Sequence, residues 1–142
     1  MNEQDEVDRI LGEWAAARPD LDIAPLAVFS RMTRITKHLD RARVHAFERS
    51  GLASWEFDVL AVLRRSGHPY RLSPKILVQQ TMVSSGTMTN RIDRMVERDL
   101  VRRLTDPNDG RGVLVEMTAQ GQTLVDAAMT RLSLRRSRSR SW

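Results

Sequence analysis

The order of elements in this chain is decided by residues 73–117, which read SPKILVQQTMVSSGTMTNRIDRMVERDLVRRLTDPNDGRGVLVEM. Ser73-Pro74 is the pattern of a helix start, with a capping hydroxyl followed by proline in the first turn, and it predicts a short helix. After a turn, Ser84 or Ser85 begins a second predicted helix, which runs to about Arg98. Two helices joined by so short a turn form a helix-turn-helix.

The second of these helices has two different sides. Its predicted inner stripe is apolar and consists of Met88, Ile92, Met95 and Val96. The outer side offers hydroxyl, amide and guanidinium groups, which suit phosphates, adenine and guanine respectively. The candidate DNA-binding residues are Ser84, Ser85, Thr87, Thr89, Asn90 and Arg94. A polar side of this kind is more often just a solvated face, so the helix by itself does not establish DNA binding.

A β-hairpin is predicted directly after this helix, with strands at 100–104 and 113–117 and turn-forming residues between them. A hairpin in this position is a wing, which predicts a winged helix-turn-helix in a mainly α protein with a small β-hairpin (α+β). Arg111 at the tip suits a narrow minor groove. We expect the Asp109 carboxylate to support the wing by holding the Arg111 guanidinium.

Helical patterns also flank this region, at about 5–17, 25–48 and 55–66, and in a last helix capped by Thr118. The helix at 25–48 has a narrow apolar seam, which is typical of packing against another helix. Its members are Val28, Met32, Ile35, Leu39, Ala42 and Ala46. The predicted organisation is an N-terminal helix and linker (1–24), a winged domain with flanking dimerisation helices (25–133) and a basic, disordered tail (134–142).

Composition excludes several kinds of chemistry. The 142 residues suit a single domain and contain no cysteine, so thiolate catalysis and zinc ribbons are excluded. The three histidines show no metal-ligand spacing, and no glycine-rich phosphate loop is present. We therefore expect no enzyme activity, no metal and no cofactor. No apolar run could span a bilayer, so we expect a cytoplasmic protein without membrane contact.

The net charge of +5 comes from the C-terminal end, where the arginines are Arg131, Arg135, Arg136, Arg138 and Arg140. Such a tail binds any polyanion without sequence preference. The basic tail therefore leaves a second interpretation of the protein's function open. In that interpretation the winged helix is a protein-interaction scaffold, and the tail supplies nonspecific nucleic-acid contact.

Three stretches of the sequence resemble the winged helix of the MarR family of bacterial transcriptional regulators: WEFDVLAVLRRSG, SSGTMTNRIDRM and DPNDGRGVLVEMT. The resemblance extends over about residues 10–132. The N-terminal helix with Trp14, followed by RPDLD, is similar to the urate-responsive, PecS-like branch. This resemblance implies a homodimeric repressor that binds a pseudo-palindromic operator in double-stranded DNA and is released by a small anionic ligand such as urate.

The resemblance also implies four ligand-binding residues, which by motif are Trp14, Asp58, Arg91 and Arg103. We expect Asp58, in a very apolar helix, to pair with Arg91 until the anion separates them. A planar ligand would stack on Trp14. The alternative is that Asp58 and Arg91 form a purely structural ion pair and that Trp14 belongs to the core.

The C-terminal end departs from the family pattern. Family members continue into a long C-terminal helix that forms much of the dimer, whereas residues 133–142 here read SLRRSRSRSW. We therefore expect dimerisation to depend on the seam of the helix at 25–48 and on the N-terminal helix.

Overall fold

A computed structural model describes residues 5–138 of the chain, with side chains described as far as residue 133. The elements are α1 (Glu6–Ala17), α2 (Ala24–Glu48), α3 (Ser54–Arg65), β1 (Arg71–Leu72), α4 (Pro74–Thr81), α5 (Ser85–Glu97), β2 (Val101–Asp106), β3 (Asp109–Met117) and α6 (Ala119–Arg138). The predicted class, mainly α with a β-hairpin wing, is confirmed. No helix within residues 5–138 has the length and apolar character needed to cross a membrane.

The chain forms two compact units that divide after Ala42, within α2, rather than at the predicted boundary near residue 24. In the N-terminal unit, Asp5 caps α1 and forms a reciprocal capping box with Asp8. Exposed ion pairs join α1 to α2, including Arg31 with Asp8 at 2.8 Å. These contacts keep α1 on α2, which is why the first unit extends beyond the predicted linker.

The apolar seam of α2 is largely uncovered. The exposed fractions of Val28, Met32, Ile35 and Leu39 lie between 57 and 59%. Only near the end of the helix, in the C-terminal unit, does the seam enter the core, where Ala46 is buried. The predicted seam is therefore present, but no described part of the chain covers its first four members.

The core of the C-terminal unit is built from the end of α2, from α3, α4, α5 and α6, and from the sheet. Its centre includes Phe47 and Phe57, whose rings stack with centroids 4.0 Å apart. From α5, Met88, Ile92 and Met95 are buried as predicted. Val96 is 38% exposed, so its assignment to the inner stripe is wrong. Val96 follows Met95 by one residue, and the rotation of about 100° per residue carries its side chain off the buried stripe.

The sheet has three antiparallel strands in the order β1-β3-β2. The hairpin is longer than predicted, since β2 and β3 continue to Asp106 and Asp109 and leave only Pro107 and Asn108 as the turn. β1 was not predicted, because a two-residue strand has no periodicity that a sequence pattern can show. It adds to the wing by pairing Arg71 with Glu116 of β3.

Two helix ends differ from the predictions. The residue that caps α3 is Ala53, not Ser54, and its N–H donates to the Glu56 carboxylate at 2.9 Å. α6 continues to Arg138, so the predicted disorder is wrong for residues 134–138. Leucine and arginine are good helix formers, and extending an existing helix is easier than starting one. The remainder of the predicted tail, 139–142, lies outside the described residues.

Candidate nucleic-acid interface

The outer side of α5 is a continuous row of polar groups. Ser84 caps the helix: its Oγ accepts from the Thr87 N–H at 3.2 Å, and its hydroxyl donates to the Thr87 hydroxyl at 2.9 Å. Thr89 donates its hydroxyl to the Ser85 carbonyl at 3.0 Å. These bonds hold the hydroxyl groups of Ser84, Thr87 and Thr89 in place. The six residues predicted to contact DNA are all exposed: Ser84, Ser85, Thr87, Thr89, Asn90 and Arg94.

Both ends of α5 are held in place. At its start, Met82 adopts the left-handed conformation (φ 54°), which ends α4 and lets the chain turn into α5. At its end, Arg98 pairs with the buried carboxylate of Glu56 and donates to the Gly51 carbonyl at 2.8 Å. A buried carboxylate needs such a partner, because it has lost its hydration. The pair ties the end of α5 to the start of α3.

A groove of about 410 Å³ runs along the outer side of α5 and reaches α3. Asn90, Arg91 and Arg94 line it from α5, and Trp55 lines it from α3. The Arg91 guanidinium lies over the Trp55 ring, 5.8 Å from its centroid, in a cation–π contact. The role of Trp55 was not predicted; in the sequence it is one more apolar residue of a buried helix.

The tip of the wing presents Arg111, which is exposed as predicted. Asp109 supports it differently from the prediction. The Asp109 carboxylate accepts from the backbone N–H of Arg111 at 3.2 Å, so the contact is to the backbone and not to the guanidinium. An aspartate two residues before an N–H closes a local turn of this kind readily. Within the described part of the chain, the Arg111 guanidinium has no hydrogen-bond or ion-pair partner.

A buried carboxylate stabilises the base of the wing. Glu116 on β3 is 5% exposed and pairs with Arg71 on β1 and Arg102 on β2. Burial by itself raises the pKa of Glu116, but the hydrogen bonds from the two arginines outweigh it and leave the pKa below its ordinary value. The alternation of polar and apolar residues along each strand did not indicate these ion pairs, because their three members lie on three different strands.

The four predicted ligand-binding residues each have a different neighbour. Asp58 accepts from Arg43 at 3.1 Å, so the predicted pairing of Asp58 with Arg91 is wrong. Asp58 lies on a side of α3 that is only half-buried, where α2 brings Arg43 within reach.

Arg103 and Trp14, two more of the predicted ligand-binding residues, also have neighbours that the sequence did not indicate. Arg103 on β2 pairs with Asp93 on α5, which links the wing to α5. Trp14 lies in the N-terminal unit, where it is 48% exposed and lines an apolar groove with Leu21 and Phe29. It is therefore not a core residue.

Comparison with known proteins identifies the family. The family model for the MarR family matches residues 50–112. The transcriptional regulator PecS of Dickeya dadantii is 37% identical over 121 residues, which cover 85% of this chain and 73% of PecS. The chain belongs to the MarR family. The predicted resemblance to this family and to its PecS-like branch is confirmed.

Other MarR-family proteins agree with this assignment. The transcriptional repressor NicR of Pseudomonas putida is 30% identical over 111 residues, covering 75% of this chain and 68% of NicR. The crystal structure of a MarR mutant from E. coli complexed with operator DNA matches with a TM-score of 0.64 and 29% identity, covering 78% of this chain and 75% of that one. These relatives confirm the prediction of a transcriptional regulator rather than an enzyme.

Proposed function

We propose that this MarR-family regulator binds a pseudo-palindromic operator in double-stranded DNA and represses transcription. The observation that supports this most directly is the exposed polar row on α5, together with the exposed Arg111 at the tip of the wing. The operator-bound MarR structure has the same fold. A recognition helix in the major groove and a wing arginine at the minor groove are the expected contacts.

We assign the individual contacts by chemistry. Ser84, Ser85, Thr87 and Thr89 bind phosphates or base edges near the start of α5, where the helix dipole also favours a phosphate. Asn90 suits adenine, and Arg94 suits guanine or a phosphate. Arg111 enters the minor groove.

A homodimer is the proposed active form, with the exposed seam of α2 as part of its interface. A large apolar stripe in water is costly unless another surface covers it. Two copies related by a twofold axis would read half-sites about 10 bp apart. Ile35→Asp is expected to convert the dimer to a monomer in light scattering. Ile76→Asp, the same change at an exposed position outside the seam, is the control and leaves the dimer intact.

We infer that a small anionic ligand such as urate releases the protein from DNA through Trp14, Asp58, Arg91 and Arg103. The similarity to PecS supports this proposal, as does the position of Arg91, which lies next to the DNA-facing row and forms no ion pair with a described carboxylate. Release requires that the ligand bind the non-DNA-binding state more tightly, and a coupling of roughly 1–3 kcal/mol is typical.

The test uses fluorescence anisotropy with DNA that flanks the protein's own coding region, with and without urate. Sequence-specific binding that urate weakens supports both proposals. A chain that ends at Ser133 should still bind the same DNA. Loss of all binding in that variant would favour the scaffold with a nucleic-acid-binding tail and would contradict an operator-reading α5.

A further inference from the structure

The turn between α4 and α5 presents a large apolar side chain to solvent. Met82 in this turn is 92% exposed, the highest value among the exposed large hydrophobic residues in the described part of the chain. The next residue, Val83, is half-buried and packs against the core of the C-terminal unit. Val83 therefore holds the turn on the core, and the Met82 side chain adds almost nothing to the packing of the described residues.

The backbone conformation makes methionine an unexpected residue at this position. The φ angle of Met82 is 54°, in the left-handed region. A Cβ is sterically hindered there, so glycine is the residue that most readily ends a helix in this way. Glycine could make the same turn without strain, and the core does not require a methionine. A partner outside the chain therefore explains the Met82 side chain better than the fold does.

The position of Met82 indicates what that partner is. Met82 lies two residues before Ser84, the cap of α5, and two residues of chain span at most about 7 Å. It therefore borders the exposed row that we propose binds DNA. The start of such a helix is the end that meets base edges in the major groove. There the C5-methyl group of thymine is an apolar feature that apolar side chains recognise by contact.

We propose that Met82 contacts the C5-methyl group of a thymine in the major groove and so adds to the sequence preference of α5. This inference rests on the proposed function, because it requires α5 to enter that groove. A thioether has no hydrogen to donate to a phosphate oxygen, whereas contact with a methyl group removes apolar surface of both partners from water. Methionine is flexible and polarisable, which suits such a contact. A twofold dimer makes the contact once in each half-site.

The test compares two forms of one DNA fragment, the region that flanks the protein's own coding region, amplified with either thymidine or deoxyuridine triphosphate. Uracil pairs as thymine does and lacks only the C5-methyl group. In anisotropy titrations, the unsubstituted protein should prefer the thymine form by roughly fourfold for each contacted methyl group. Met82→Gly should bind the thymine form more weakly, and its thymine-to-uracil affinity ratio should be lower by the same factor.

Two further variants test whether the apolar character of the side chain is responsible. Met82→Leu keeps an apolar side chain and should retain the affinity ratio of the unsubstituted protein. Met82→Gln has a similar length and a polar end, and should lose the preference as Met82→Gly does. Thr87 could also contact thymine methyl groups, but comparing the ratios of two variants isolates the part that depends on Met82. Thermal unfolding of Met82→Gly should show an intact fold, because glycine adopts the left-handed conformation without strain.

Failure of the Met82 contact can be distinguished from failure of the proposed function. If the unsubstituted protein binds the fragment specifically but Met82→Gly has the same thymine-to-uracil ratio, the contact is overturned and DNA binding by α5 stands. If the unsubstituted protein shows no sequence-specific binding to the thymine form, the proposed function is overturned and this inference with it. Replacing one thymine at a time by uracil should locate the contact at symmetric positions, one in each half-site.

Discussion

The carboxylate of Asp58 on α3 accepts a hydrogen bond from the guanidinium of Arg43 on α2, at 3.1 Å. Trp55 precedes Asp58 by three residues and therefore lies on the same side of α3. The Trp55 ring in turn forms a cation–π contact with Arg91 of α5. Two cations from different helices thus approach one side of α3, and it is Arg43 that neutralises the carboxylate.

This arrangement predicts a role for Arg43 in the proposed urate response. In Arg43→Ala, the unneutralised carboxylate of Asp58 would attract Arg91 and repel an incoming anion. The urate concentration needed for half-release from DNA should rise by about fivefold or more. The measurement is an anisotropy titration with urate at a fixed concentration of DNA.

A second substitution separates this electrostatic effect from damage to the fold. Adding Asp58→Asn to Arg43→Ala removes the repelling charge and should lower the urate concentration for half-release again, though not fully to its original value, because Asp58 is itself one of the proposed ligand-binding residues. Arg91→Ala should abolish the response altogether. If Arg43→Ala and the double variant respond alike, the charge of Asp58 has no part in ligand release.

Arg94→Ala should weaken binding to the operator by about tenfold or more, because it removes a contact to guanine or phosphate. If the contact is to a phosphate, the slope of log affinity against log salt should also decrease by about one. Arg9→Ala is the matched control, since Arg9 is an exposed arginine of α1. Equal affinities for the two variants would remove Arg94 from the interface.

The ion pairs at the base of the wing predict a pH-dependent contribution to stability. The pKa of Glu116 lies below its ordinary value in the folded protein, so its charge stabilises the fold above the unfolded pKa of about 4.3. That contribution is lost as the pH falls through the lower folded pKa.

In Glu116→Gln, the free energy of unfolding should decrease by about 1–3 kcal/mol at pH 7. The difference from the unsubstituted protein should shrink below about pH 4. Urea denaturation at several pH values measures both effects, with Glu13→Gln on the exposed side of α1 as the control. A difference that stays constant down to pH 3 would contradict the proposed contribution of the charge.

Gly121 at the start of α6 is required by close packing. A Cβ at this position would lie 2.3 Å from the Leu100 carbonyl oxygen and 3.1 Å from Met117 Cγ. Gly121→Ala should therefore destabilise the fold by about 1–3 kcal/mol or more, measured by thermal unfolding.

Gly86→Ala on α5 is the matched control, since nothing lies within 4 Å of its would-be Cβ. That change should leave stability unchanged or raise it by about 0.4–1 kcal/mol. Equal melting temperatures for the two alanine variants would show that α6 shifts to accommodate the methyl group.

Local patterns in the sequence were sufficient to predict the elements that we propose to read DNA. The Ser73-Pro74 and Ser84 starts, the apolar stripe of α5 and the turn residues of the wing are all determined within a few neighbouring residues, and the structure has each of them. The exposed DNA-binding candidates on α5 follow from the same periodicity. The apolar seam of α2 could also be predicted, because the spacing of its residues along the helix does not depend on which surface covers them.

Tertiary structure alone decided which charged groups meet. Asp58 pairs with Arg43 rather than Arg91, and Glu116 joins Arg71 to Arg102, because helix packing and strand register bring together residues that are 14 to 45 positions apart. A sequence shows the period of each element, and that period determines which side is buried. The partner of an exposed or half-buried charge depends on the distance between elements, which no local pattern contains.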